Sequence, residues 1–537
     1  MKRSKAYSSK TIMNQAYHGL IANTKYFLMK RTISKIMIMG TLLLGVACKK
    51  ELLNQDNPNT LTVEQFWKTE TDAQKSVNSI YAMFYQTGGW NRWIYFRLDL
   101  TSDEGFSNSP WIELADWTRF RYVNYNFWEG NVNTYRDFYK AIFRCNQVLK
   151  YVPDIPFTDA KKKAQILAQA KFLRGYYNYY GAVLWENFPL ITTLQLATDL
   201  PAASNLQQVW AQVEKDLQEA SADLPEQWTG DDLGRPTKGA AQALLGKALM
   251  QQHKWNEAKT AFDYLVTGAG KSYYALVDFK DNFRAENENN KESVFEIQFS
   301  DANKTAEGDA PNSNMGTSRS QFFAPRSIGW SDGQARYWTV DEFKKEKTVT
   351  GGIDPRLRYT LFYPSLEADF GDKIYGRSWA WGPDEAWFKK YSRDYSRNNE
   401  DYFNQVNNRV IRYADVLLMY AEALNELGQT TEAYQYVNLV RQRSNMATMQ
   451  LAYPAIGTSQ TLFRNRLKTE RMLELCGESV RWADLKRWGD LDTQAGVNEV
   501  ALRDPDFKNF VVGKHIRLPL PQVEVENNTN LKQNPSY

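Results

Sequence analysis

Arg412–Gly428 reads RYADVLLMYAEALNELG, and its apolar residues Tyr413, Val416, Leu417, Tyr420, Ala421, Leu424 and Leu427 recur at spacings of three and four. That period places them on one face of a helix, which Gly428 ends. A second amphipathic stretch, TEAYQYVNLVRQR, begins within a few residues and buries Ala433, Tyr436, Val437 and Val440. Helices joined so tightly run antiparallel. The same unit stands earlier in GAAQALLGKALMQQHKWNEAKTAFDYL. Aligning the two sets Gly246 on Ala421, Ala258 on Ala433 and Phe262 on Val437, with small residues where paired helices approach. This is tetratricopeptide spacing, and such units need neighbours to bury their apolar faces. Degenerate copies are therefore expected, giving units near 62–86, 135–185, 209–266 and 411–443. Between the two legible units the region of about 273–406 is irregular and rich in Asn, Gly, Asp and aromatics, with one strand expected in SVFEIQFS. The fold class that follows is mainly α: a tetratricopeptide-type helical-repeat scaffold with a large irregular, loop-rich insert containing short β elements.

The amino-terminal region has another character. Lys30, Arg31 and Lys35 precede an apolar run from Ile36 to Ala47, and Cys48 follows. A basic segment leading a short hydrophobic one is the layout of a secretory signal, and the run is well short of the roughly 20 residues of a membrane-crossing helix. Gly45-Val46-Ala47-Cys48 resembles a bacterial lipoprotein cleavage box, with Gly45 where a leucine is usual. The expectation is a signal peptide over residues 1–47, with Met29 as the true start, then a lipidated Cys48 and a polar tether to residue 60. Residues 61–537 form one fold.

Charge supports this division. The 47 leader residues hold eight Lys or Arg and no acid, so their loss leaves 58 basic against 62 acidic side chains and turns a net +4 into −4. No basic stripe remains to neutralise phosphates, which argues against nucleic acid as a partner. Of three cysteines, Cys145 and Cys476 remain, too few for a disulfide framework. Imidazole chemistry would have to come from His253 and His515, and no HExxH or GxSxG motif accompanies them.

Several stretches together resemble the RagB/SusD family: FWKTETDAQKSVNSIYAMF, QAKFLRGYYNYYGAVLWENFPL, GRPTKGAAQALLGKAL, IRYADVLLMYAEALNELG, ERMLELCGESVRWADLKRW and the closing RLPLPQVEVENNTNLKQNPSY, in the family's order. The resemblance implies a SusD-like fold, a lipid-anchored protein on the outer membrane, an oligosaccharide or polysaccharide ligand and a SusC-like TonB-dependent outer membrane transporter as partner. It implies no catalysis and no cofactor. Family members proposed for peptide uptake make a peptide the alternative ligand, and a glycoside hydrolase is the rival of another class; a pure interaction scaffold would bind the barrel alone. In ERMLELCGESVRWADLKRW, Glu470, Glu474 and Glu478 fall four apart with Arg481, Asp484 and Arg487 continuing at threes, a pattern read as charges paired along one helix.

Two motifs fail on inspection. GAGKS, Gly268–Ser272, has Leu265 where a P-loop needs its first glycine, and it follows a helix instead of a strand. Asp301, Asn303 and Thr305 begin a calcium-loop pattern, but Ala306 replaces the glycine and Asn312 the bidentate glutamate, so structural calcium is without a recognisable loop.

Aromatics supply the candidate site. They are 15 of the 48 residues from Tyr81 to Trp128 and 17 of the 78 from Ser318 to Tyr395, against 14% of the chain, with five tryptophans in each stretch. In NSPWIELADWTRFRYVNYNFWEG, GWSDGQARYW and YGRSWAWGPDEAWF the rings alternate with Asn, Asp, Arg and Gly at no helical period. A sugar offers an apolar C–H face and a rim of hydroxyls, so its site needs flat rings beside planar or charged hydrogen-bond partners. The candidates are Trp111 and Trp330 as platforms, Tyr375 and Trp379 as walls, and Asn108, Asp332 and Arg336 as hydroxyl partners.

Overall fold

The computed structural model describes residues 63–122, 128–302 and 314–537. The chain separates into two units, residues 1–66 and 67–537. Of the first, only the helical turn Val63–Phe66 is described, so Met29, the expected signal peptide, Cys48 and the expected tether lie outside the described residues.

The second unit is mainly helical. Its frame comprises α1 (Glu70–Tyr81), α2 (Trp93–Leu100), α3 (Glu129–Tyr151), α4 (Ala160–Leu184), α5 (Leu206–Asp223), α6 (Lys238–Met250), α7 (Trp255–Val266), α8 (Tyr413–Glu426), α9 (Thr430–Arg443), α10 (Gln460–Leu475) and α11 (Arg481–Arg487). Side-chain caps start many of these helices. Thr69 and Asn205 close capping boxes with Asp72 and Gln208, while Asp159, Thr237 and Ser459 accept first-turn N–H groups, each such cap being worth about 1 kcal/mol.

Sequential helices pack in pairs, α3 with α4, α4 with α5, α6 with α7 and α8 with α9. In α6–α7 the small residue is required: a Cβ on Gly246 would stand 2.3 Å from the Phe262 ring. In α8–α9 the equivalent Ala421, Ala433 and Val437 are fully buried. His253 sits in the α6–α7 turn with its Nε2 2.7 Å from the Arg487 carbonyl and its ring stacked on Trp255. It is a structural histidine.

Strands are short. β1 (Gly105–Phe106) pairs with β3 (Gln334–Ala335), β2 (Ser293–Ile297) with β6 (Asn408–Arg412), and β4 (Leu361–Phe362) with β5 (Trp387–Phe388), all antiparallel. The expected strand in SVFEIQFS is β2. Because β2 and β6 are neighbours, the chain between Ile297 and Asn408 leaves the frame and returns beside its own exit. That excursion carries the short helices Arg319–Phe323, Trp338–Lys345 and Leu357–Thr360.

One sequence reading changes. ERMLELCGESVRWADLKRW is two helices, not one: α10 stops at Leu475, and the chain turns through Gly477 and Ser479 at φ +73° and +62°. Glycine is needed at 477, since a Cβ there would lie 2.7 Å from Phe388. The glutamates pair with arginines of other segments, and Glu470 also with Arg466 one turn earlier on α10, instead of with α11. Glu474 takes Arg356 at 3.1 Å, Arg412 at 2.9 Å and Arg443 at 2.5 Å. Glu470 takes Arg356 at 2.9 Å as well as Arg441 and Arg466, and Glu478 takes Arg412 at 2.7 Å and Lys390 at 2.6 Å. All but Arg443 and Arg466 are buried, and together they join α9, α10 and β6 to residues of the excursion.

Candidate functional site

The site begins at the β1–β3 pairing, which sets the loop after β1 beside the segment before β3. Ser107 N–H donates to Thr118 Oγ1 at 3.0 Å, Ser109 N–H to Ser107 Oγ at 3.1 Å and Trp111 N–H to Ser109 Oγ at 3.0 Å, so the loop is braced from within. Ser109 Oγ donates across to Asp332, and Asn108 Nδ2 to Gln334 Oε1 at 3.4 Å. On the facing segment, Trp330 N–H donates to the Gln321 carbonyl at 2.7 Å and Asp332 N–H to the Phe322 carbonyl at 2.8 Å, around Ser331 at φ +60°. The turn thus folds back on the helix Arg319–Phe323.

Phe322, buried, becomes the hub of a ring cluster. Trp330 meets it edge to face at 4.7 Å, Tyr402 at 6.0 Å and Trp111 at 6.5 Å, with Trp330 also 6.0 Å from Tyr402. Trp111 rests on Trp93 at 4.8 Å. The Arg92 guanidinium lies 5.7 Å over Phe322 and 5.3 Å over Tyr402, and it donates to the Tyr402 hydroxyl. Trp330 is 54% exposed, a large amount of tryptophan surface to leave in water; Trp111 and Tyr402 are half-buried. The two tryptophan platforms therefore come together on one supported surface, with Asn108 exposed at its edge and Asp332 beneath it. Burial raises the Asp332 carboxyl against the opposing pull of the Ser109 hydroxyl.

Other candidates stand elsewhere. Tyr375 is 1% exposed, with its hydroxyl on Glu400 at 2.6 Å and its ring against Phe362; it is a core residue and offers no wall. Arg336 is held by Asp504 at 2.6 Å and Asp506 at 2.5 Å, stacked 4.2 Å over Phe106, so its donors act as a strut. Trp379 belongs to a second cluster with Trp381 and Trp387, at 5.2 and 5.7 Å. Trp387 donates its indole N–H to Ser331 Oγ at 2.9 Å, which ties that cluster to the turn carrying Trp330. Arg92 and Tyr402 escaped the sequence reading, although Arg92 lies between two tryptophans in WNRW.

Catalytic alternatives find little in this geometry. Burial pushes Glu104 and Glu113 up to about 8, but both are 3% exposed. Glu104 shares the core with Asp99 and Asp103, and Glu113 accepts the Gly130 and Asn131 N–H groups at the start of α3. His515 accepts the Val511 N–H at 2.9 Å within a nest of Phe120, Tyr122 and Phe510, and burial lowers it to about 4. Among the described residues no group of three or more His, Cys, Asp or Glu is placed to hold a metal. Of the calcium-loop pattern, Asp301 faces Arg397 at 3.4 Å, while Asn303, Thr305, Ala306 and Asn312 lie outside the described residues.

Comparison with known proteins places the chain in a family. Residues 291–537 match the SusD family model, and residues 51–250 match the model described as starch-binding associating with outer membrane. The chain belongs to the SusD family. SusD-like protein P25 of Formosa agariphila is 26% identical, over 92% of this chain and 97% of that protein. Among solved structures, a SusD superfamily protein from Bacteroides vulgatus superposes with a TM-score of 0.77 at 26% identity, covering 88% of this chain and all of the other. A laminarin-binding SusD-like protein superposes with a TM-score of 0.72, also at 26% identity and with 88% and 100% coverage. Among its described residues this SusD-family chain has no helix long and apolar enough to cross a membrane.

Proposed function

We propose that the protein is a surface receptor that captures an oligo- or polysaccharide and delivers it to a SusC-like TonB-dependent outer membrane transporter, without transforming it. The observation that carries this reading is the exposed Trp330 set with Trp111 and Tyr402 around buried Phe322, beside Asn108 and Asp332. Flat rings meet the C–H face of a sugar, while the exposed Asn108 amide takes its hydroxyls and Asp332 braces the loop through Ser109. Trp379 and Trp381, connected through Trp387 and Ser331, extend the aromatic surface. Kinship with a laminarin-binding protein supports a glycan as the ligand. In this reading Cys48 carries the acyl chains that hold the receptor at the outer membrane, two or more chains being needed for stable anchoring, and the transporter supplies the energised step.

The test is binding of the purified protein to a panel of soluble glycans and peptides, beginning with laminarin. Replacing Trp111 and Trp330 together by alanine should weaken glycan binding about tenfold or more, equivalent to at least ~1.4 kcal/mol, in a variant whose circular dichroism shows that it remains folded. Unchanged affinity in that variant refutes the platform. Turnover of the bound glycan refutes the receptor.

A further inference from the structure

A cavity of about 280 Å³ shares no lining residue with the aromatic platform. Its lining holds five cations, Lys280, Arg284, Arg358, Lys373 and Lys389, against two carboxylates, Asp372 and Asp394. That excess stands out in a chain that carries −4 without residues 1–47. Three of the cations have acids at hand. Arg358 pairs with Asp372 at 2.5 Å and Lys389 with Asp394 at 3.0 Å, while Lys373 is 3.9 Å from Glu367.

Lys280 and Arg284 are different. Both are half-buried at the cavity wall, and among the described residues neither has a carboxylate within ion-pairing distance. Arg284 lies 4.8 Å over the Tyr395 ring, which fixes the guanidinium by its face and leaves its N–H edge to donate. Tyr395 is itself held, its hydroxyl accepting the Ala285 N–H at 3.1 Å. Glu286, near Tyr395, stands outside the lining. Partial removal of two cations from water without a counter-charge is unfavourable unless an anion completes the site. Tyr359 and Tyr395 add ring surface to the same walls.

We infer that this cavity takes an acidic sugar unit, with the carboxylate of a uronate or the sulfate of a sugar ester between Lys280 and Arg284 and the sugar ring against Tyr359 or Tyr395. The inference rests on the glycan-receptor reading and adds a charge preference to it. The segment that lines the cavity with Lys389, Asp394 and Tyr395 also carries Tyr402 to the platform, and Arg393 within it is tied to Glu400, which accepts the Ser320 hydroxyl beside Phe322 at 2.8 Å. One braced segment therefore supports both sites.

The experiment measures binding of an oligogalacturonate and of glucose 6-sulfate to the purified protein by calorimetry, with maltotriose, inorganic sulfate and phosphatidylglycerol vesicles as comparisons. The acidic sugars should bind, and binding should weaken as salt rises from about 0.01 M to about 0.15 M, which shortens screening from roughly 30 to 8 Å. K280A/R284A should weaken it at least tenfold, with the single substitutions K280Q and R284Q intermediate if the double variant is unstable. W111A/W330A should retain it. The inference is overturned if neither acidic sugar binds, if the Lys280 and Arg284 variants bind as well as the parent, or if inorganic sulfate or the vesicles bind as tightly as the sugars. Laminarin binding that survives such a result leaves the platform standing; loss of acidic-sugar binding in W111A/W330A alone moves the charge preference to the platform and also overturns this site.

Discussion

Replacing Glu470 by glutamine tests the buried charge network at a group whose environment is fully described. Glu470 is unexposed and lies between Arg356, Arg441 and Arg466. Burial alone would raise its carboxyl, but the arginines outweigh burial and hold it at about 2 against an ordinary 4.5. At 1.36 kcal/mol per unit, that difference is on the order of 3 kcal/mol of stability in the neutral range. Glutamine keeps the shape and loses the charge, leaving the arginines short of one carboxylate, so E470Q should cost about 3–5 kcal/mol at pH 7. Because the folded value is depressed, the wild-type advantage is complete above the unfolded value near 4.5 and disappears as pH falls toward 2. Urea unfolding of both proteins at pH 7, 5, 4 and 3 reads this directly, since carboxylates common to both cancel in the difference. The gap should be constant at pH 7 and 5 and narrow at 4 and 3. A gap under about 1 kcal/mol at pH 7, or one that does not narrow with acid, would refute the assignment of Glu470 as an ionised keystone.

Two further outcomes follow from packing. Gly246→Val drives branched carbon into the Phe262 ring, where a Cβ alone would stand at 2.3 Å, and should destabilise by about 1–3 kcal/mol; adding Phe262→Leu should recover part of the loss in the same unfolding assay, and full additivity would deny the contact. Cys145 and Cys476 are unexposed and burial raises both thiols, so maleimide followed by peptide mapping should label neither in the native protein and both after denaturation.

The helical frame was readable because its information is local. A period of three and four residues and a small residue opposite a large one are properties of stretches of about thirty residues, and Gly246 against Phe262 realises them. The excursion is different. Tyr375 has the same polar and aromatic neighbours as Trp379, yet its backbone at φ +50° and its bond to Glu400 turn it inward. Composition around a loop residue does not state which way it faces. The sequence around Arg336 offers it to ligand hydroxyls, whereas Asp504 and Asp506, far along the chain, claim it. The break after Leu475 has a local sign in Gly477, but the arginines that take the place of α11 as partners come from three other segments and, for Arg466, from α10 itself. Trp111 and Trp330 meet only through Phe322 and the two-residue β1–β3 pairing, a contact that no periodicity encodes.

The same long-range contacts explain why a binding surface made of loops can be stiff. Arg319, three residues before Phe322, donates to Asp99 and to the Gly477 carbonyl, both at 2.7 Å. Ser479 donates to Asp99 through its backbone N–H and its hydroxyl, and Glu478 in the same turn belongs to the network through Arg412 and Lys390. The turn after α10 thus joins the helix beneath the platform to the buried arginines and glutamates. Replacing these charges by apolar side chains would offer similar burial with many alternative packings, whereas each bidentate arginine accepts few geometries. Rings held in place before the ligand arrives lose little conformational entropy on binding. On this argument the glutamates of α10 and of the turn after it bear on the proposed site through the registration of Phe322 and Trp330, although none of them belongs to the platform.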